Sequence, residues 1–189
     1  MTDLFERVTA LRAVQTEILR LAPFRDIGLV PNPGASEQAI ATAEARIGLA
    51  LPPSYRAFLS LYDGWPRCFE GASLLGTAFI GTRAVNEFAR AAFAAAEAPE
   101  PALGPPSRRR LFPSIIPFGV DQQSTTLFAF NPEVRNHDGE YEVIAWINEL
   151  GVRRESFPSF LDFLVELAEC ELGGHKSLAS AVSETRKSA

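Results

Sequence analysis

Leu4, Val8, Leu11, Val14, Ile18 and Leu21 recur at three- and four-residue intervals, with charged and small residues between them. That spacing predicts an amphipathic helix over residues 3–22, packed on the chain's own core or against a partner helix. The Pro/Gly-rich stretch 23–35 reads as a connector. Ile40, Ala43 and Ile47 mark a second helix near 36–47, with Ser36 as its N-cap and Gly48 as the left-handed residue past its end. Pro52 and Pro53 forbid continuation of that helix and suit the first turn of the next. Tyr55, Phe58, Leu59 and Tyr62 then give a third helix near 53–62. Asp63-Gly64 is a turn signal, and Trp65 stands immediately beyond it.

The pattern changes after this point. Leu74, Leu75, Phe79 and Ile80 lie among Gly and Ser, which suggests a short strand or irregular edge within 66–81. Thr82 can cap a helix running to about Ala98. Residues 99–110, PEPALGPPSRRR, are a Pro-rich insert that excludes regular structure. Strands are expected at 114–119, 125–130 and 141–148. The last of these, YEVIAWIN, sets Val143, Ala145 and Ile147 against Ile144 and Trp146, so it reads as a central strand covered on both faces. A polar turn opens at Asn131-Pro132 and closes at Asn136-His137-Asp138-Gly139. A final helix over about 157–172 has Ser156 as its cap and buries Phe160, Phe163, Leu164 and Leu167. Gly173-Gly174 ends it, and the tail to Ala189 is expected to fray. Helices, then strands, then a helix indicate an α+β fold: a mostly antiparallel central sheet flanked by helices.

Composition narrows the function. The 189 residues carry 47% apolar and 22% charged side chains, ordinary values for one globular domain. Fourteen Phe against one Met point to a core of rigid rings. A net charge of −5 argues against a nucleic-acid binder and suits a basic protein partner. No run has the length of a membrane span, and MTDLFERV lacks a secretory apolar region, so cytoplasmic residence is expected. Cys68 and Cys170 have neither zinc nor disulfide-framework spacing and are expected as free thiols.

Catalytic chemistry finds little support. The two histidines fall in a turn (His137) and in the tail (His175), whereas a nucleophile needs a base held against it and oriented by a third group. GASLLG at 71–76 lacks the Lys-Ser/Thr of a phosphate loop. Asp121, Asp138, Glu140 and Glu142 do not have calcium-loop spacing and read as solvated acids. No cofactor or metal is expected.

Glu44, Gly48, Leu51-Pro52, Tyr55, Phe58-Leu59 and Asp63-Gly64-Trp65 occur in an order that resembles the SUKH superfamily, in its Smi/Knr-type branch. Ile116-Pro117-Phe118-Gly119 with Asp121, Leu127 to Phe130, and Ser156 to Leu164 resemble that family's central strands and closing helix. The likeness runs from Pro31 to Leu172. It implies a SUKH-like domain over 31–172, preceded by an extra N-terminal helix and connector (1–30) and followed by a flexible tail (173–189). It also implies a non-enzymatic protein-binding module, similar to bacterial immunity proteins that neutralise a toxin, often a nuclease. A regulatory adaptor is the alternative. The partner would be a protein with a basic surface, with no direct contact to nucleic acid or membrane, and the chain a monomer or homodimer. Candidate contact residues are Trp65, Asp63, Tyr62, Asp121 and Trp146. For both tryptophans, packing in the core competes with contact to a partner. Glu44 is expected to serve structure, accepting from backbone N–H groups or an Arg at the helix break.

Overall fold

The computed structural model describes residues 2–69, 71–96, 115–121, 126–147 and 153–166, together with Glu169 and Gly173. The insert at 99–110, Cys170, Leu167 and the tail with His175 lie outside the described residues.

Local signals set the first three helices. α1 spans Thr2–Leu21 and buries Leu4, Val8, Leu11 and Ile18. α2 spans Glu37–Ile47; the Ser36 hydroxyl accepts from Ala39 N, and Gly48 ends the helix at φ 73°. That conformation places a Cβ against the backbone in any other residue, which is why glycine stands there. α3 spans Pro53–Leu61 with a Pro in its first turn, and it buries Tyr55, Phe58 and Leu59.

Six strands follow in a meander: β1 (Trp65–Phe69), β2 (Ala72–Leu74), β3 (Ile116–Val120), β4 (Thr126–Arg135), β5 (Tyr141–Ile147) and β6 (Arg153–Phe157). Their order in the sheet is their order in the chain, and every neighbouring pair is antiparallel. α4 (Arg83–Ala96) lies between β2 and β3, and α5 begins over residues 160–166 after β6. The architecture is α+β.

The stretch read as a short strand or irregular edge is the β1–β2 hairpin, and Trp65, directly beyond the Asp63-Gly64 turn, opens β1. Two expectations need correction. Asn131-Pro132 does not start the turn: β4 continues to Arg135 through a register shift between Asn131 and Arg135. That bulge accommodates a residue with no N–H to donate. Strand β5 is interior and covered on both faces as expected, pairing with β4 and β6 and burying Val143 and Ala145 on one side and Ile144 on the other. Finally, Ser156 belongs to β6, and Ser159 caps the closing helix. Its hydroxyl accepts from Asp162 N (3.2 Å) and donates to Asp162 Oδ2 (2.7 Å).

One face of the sheet carries Phe118, Phe128 and Phe130, which meet Tyr55 from α3 and Phe160 and Phe163 from α5. Phe118 stacks on Phe130 at 4.1 Å; Tyr55 meets Phe160, and Phe128 meets Phe163, edge-on at 4.8 Å. These are the offset and edge-to-face geometries that ring quadrupoles favour. α1 closes the same core. On the opposite face Ala89 of α4 packs on Leu127, with Trp146 and Val120 alongside. The connector runs along the outer edge of β1. Gly28 N donates to Arg67 O (2.8 Å), Asn32 N to Gly64 O (3.0 Å) and Gly71 N to Asp26 O (2.9 Å). Pro66 lies in β1 itself, and the register there shifts between Trp65 and Phe69. Cover, proline and bulge together close this edge to strand addition.

Candidate interaction surface

Most residues of the motif from Glu44 to Trp65 turn inward. Glu44 Oε1 accepts from Leu51 N (3.0 Å) and Arg56 Nε (3.3 Å), so one carboxylate satisfies the backbone at the helix break and holds an arginine from the next helix. Tyr55 is fully buried; its hydroxyl donates to Leu75 O (2.6 Å), and burial pushes the phenol well above its ordinary range. Asp63 Oδ1 accepts from Thr77 N (2.5 Å) and Oδ2 from Thr77 Oγ1 (3.0 Å), while Asp63 O accepts from Asn32 Nδ2 (2.9 Å). The carboxylate therefore clasps the loop after β2 to the turn after α3. Gly64, at φ 86°, and Gly76 lie back to back within this clasp; a Cβ on Gly64 would come within 2.6 Å of Gly76 N.

Of the five candidate contact residues, none is fully exposed. Trp65 has no exposed surface: its indole Nε1 donates to Gly28 O (2.6 Å), and its ring lies 6.4 Å from that of Tyr62. The indole packs within the core. Tyr62 is half-buried at the C-cap of α3, where its N–H donates to Phe58 O (2.7 Å). Asp121 is buried at the end of β3, with its N–H donating to Thr126 O (3.3 Å). Trp146 is half-buried on the α4 face of β5, opposite Leu127. Trp65 lies in the ring-lined core on one face of the sheet and Trp146 packs beside Leu127 on the other, so the five do not form one site. Asp121 follows β3 two residues beyond Gly119, whose β2 partner Leu74 pairs with Trp65.

A family model described as SMI1 / KNR4 family (SUKH-1) matches residues 34–166, more than half of the chain. The chain belongs to that family. The match contains every strand, α2 to α4 and the start of α5; α1 and most of the connector precede it. No curated protein sequence matches the chain. Membership of the SUKH-1 family agrees with a protein-binding role. No helix among the described residues is long and apolar enough to cross a membrane. No group of three or more His, Cys, Asp or Glu side chains able to hold a metal ion is found among those residues, and His137 is an exposed turn residue beside Asp138 (3.2 Å).

Two further positioning residues escaped the sequence reading. Glu140, at the base of the β4–β5 turn, accepts from Ser54 N (2.7 Å) and Ser54 Oγ (2.6 Å). It caps α3 from across the domain, because Pro52 at the N-cap position has no side-chain acceptor of its own. Gln15 on α1 donates to Cys68 O (2.6 Å), tying the extra helix to β1. An acidic residue five positions after β4 was visible in the sequence, but its partner 86 residues away was not.

Proposed function

We propose that this chain is a non-enzymatic, cytoplasmic protein-binding domain that acts as an immunity protein, neutralising a cognate toxin by covering its working surface. Membership of the SUKH-1 family over residues 34–166 is the observation that carries this reading. The net charge of −5 supports a toxin with a basic surface, such as a nuclease, because opposite fields speed encounter and penalise wrong partners. The domain needs no cofactor and binds as a monomer or homodimer. In this reading Trp65 and Asp121 hold the scaffold in shape, while Tyr62, Asp63 and Trp146 keep part of their surface for contact.

The test is co-expression with the product of the adjacent upstream gene, in a host where that product is toxic. Rescued growth together with a complex that survives purification is the expected result. Neither rescue nor complex would sink the immunity reading and favour a regulatory adaptor that binds an endogenous protein.

A further inference from the structure

α1 stands apart from the domain it packs on. The family match begins at residue 34, so the strands, α2 to α4 and the start of α5 belong to the SUKH-1 domain and α1 does not. The helix lies against α3, and Gln15 reaches from it to Cys68 O in β1 (2.6 Å). Leu4, Val8, Leu11 and Ile18 are each at 3% exposure or less. Anchors at i, i+4, i+7 and i+14 are how an amphipathic helix fills an apolar groove in a receptor. α1 thus has the form of a bound ligand joined to its own receptor by the chain.

The connector is held independently of α1. Gly28 N donates to Arg67 O, Asn32 N to Gly64 O and Ala35 N to Leu59 O, and Gly28 O accepts from the Trp65 indole. Asp26 pairs with Arg67 (2.9 Å) and accepts from Gly71 N. Between this anchored stretch and α1, Ala22 N and Arg25 N donate locally, to Ile18 O and Ala22 O, and Phe24 is fully exposed. The ion pairs Arg7–Asp3 and Arg20–Glu17 lie within α1 itself and add nothing to its docking. Gln15 is buried, yet its Oε1 has no hydrogen-bond partner among the described residues. A buried amide left half-satisfied opposes the docking that apolar burial drives.

We propose that α1 is a displaceable resident of a helix-docking groove on α3 and β1, and that the partner binds by placing an amphipathic helix of its own there. The inference rests on the protein-binding reading above and adds the site and the chemistry of its occupant. The resident helix supplies the pattern: apolar side chains at i, i+4, i+7 and i+14, with a donor at i+11 for Cys68 O. α1 leaves as a unit, hinged at 22–25, while the connector, β1 and Trp65 stay in place. Its tether gives it a high effective concentration, so only a helix that fits better than α1 takes the groove.

Hydrogen exchange on the unmodified full chain tests the displacement. The α1 amides are expected to exchange at least tenfold faster than those of β4 and β5; equal rates overturn the proposal. A fluorescent peptide of residues 2–21 tests the groove. A full chain carrying Leu11→Glu, whose own α1 is disfavoured, should bind this peptide at least tenfold more tightly than the parent chain does. It should also gain melting temperature from the peptide, and a peptide with the same substitution should not bind. A Leu11→Glu chain that stays unfolded with the parent peptide present overturns the proposal, because α1 is then inseparable from the core. A catalytically disabled form of the upstream gene product should displace the labelled peptide from the Leu11→Glu chain. Binding without displacement overturns the groove as the partner's site and leaves the function standing. A product that binds neither chain overturns the immunity function and the partner helix, while exchange and peptide binding still decide whether α1 is displaceable.

Discussion

Trp65→Ala separates a motif built for the core from one built for a partner. The indole is fully buried, and its N–H donates to Gly28 O at 2.6 Å. A Trp side chain removes about 150–250 Å² from water, worth roughly 4–6 kcal/mol at about 25 cal/mol per Å². Truncations of this kind cost about 3–5 kcal/mol, because the surroundings collapse only in part. Loss of about 4 kcal/mol is therefore expected, a large share of a typical total of about 5–15 kcal/mol. For a chain of this size it lowers the melting temperature by roughly 8–16 °C. Trp65→Phe keeps much of the volume and deletes only the donor, so it should cost about 1–3 kcal/mol. Urea unfolding followed by far-UV circular dichroism reads both losses without depending on the tryptophan itself. A Trp65→Ala chain with the parent's unfolding midpoint but no partner binding would refute the core role and restore the indole as a contact.

Two pH effects follow from ionisable groups. Glu37 is held below its ordinary 4.5 chiefly because Arg56 donates hydrogen bonds to it, a lowering that desolvation opposes and the arginine's charge assists. The pair therefore stabilises the fold above that ordinary value, and the contribution fades as pH falls through the lower folded value. Arg56→Met should bring the Glu37 midpoint, followed by NMR, back toward 4.5; an unmoved midpoint would count against the pair. Tyr55 is held well above 10.0, first by burial and then by the charges of Asp63 and Cys68. The native phenol stays neutral where the unfolded one ionises, so stability falls as pH rises past 10.0. Tyr55→Phe leaves Leu75 O without this donor, costs about 1–3 kcal/mol at neutral pH and should abolish this share of the alkaline loss in urea titrations.

What the sequence showed was what neighbouring residues decide among themselves. Ser36, Gly48 and Pro52-Pro53 fix the ends of α2 and α3 within a few positions, and the structure puts each in the expected role. Glu44 was readable for the same reason, since both of its donors lie within twelve residues. β6 was not readable. Its RRESF has no alternation of apolar and polar positions, and it becomes a strand only by pairing with β5. The position of Trp65 depended on a carbonyl in the connector, and the cap of α3 on a glutamate near the other end of the chain. Such contacts leave no periodicity to detect.

The ring cluster sets a timetable for folding. Tyr55 and Phe118 pack against Phe160 and Phe163, so the centre of the core joins residues separated by up to about a hundred positions. Contacts of that span are slow to form, because the chain must close a long loop before they reward it. During synthesis the helices and the first strands emerge with their aromatic face open to water, and they stay so until the last helix has left the ribosome. The nascent chain thus carries an adhesive surface for most of its synthesis, and a chain cut short before Phe160 never loses it.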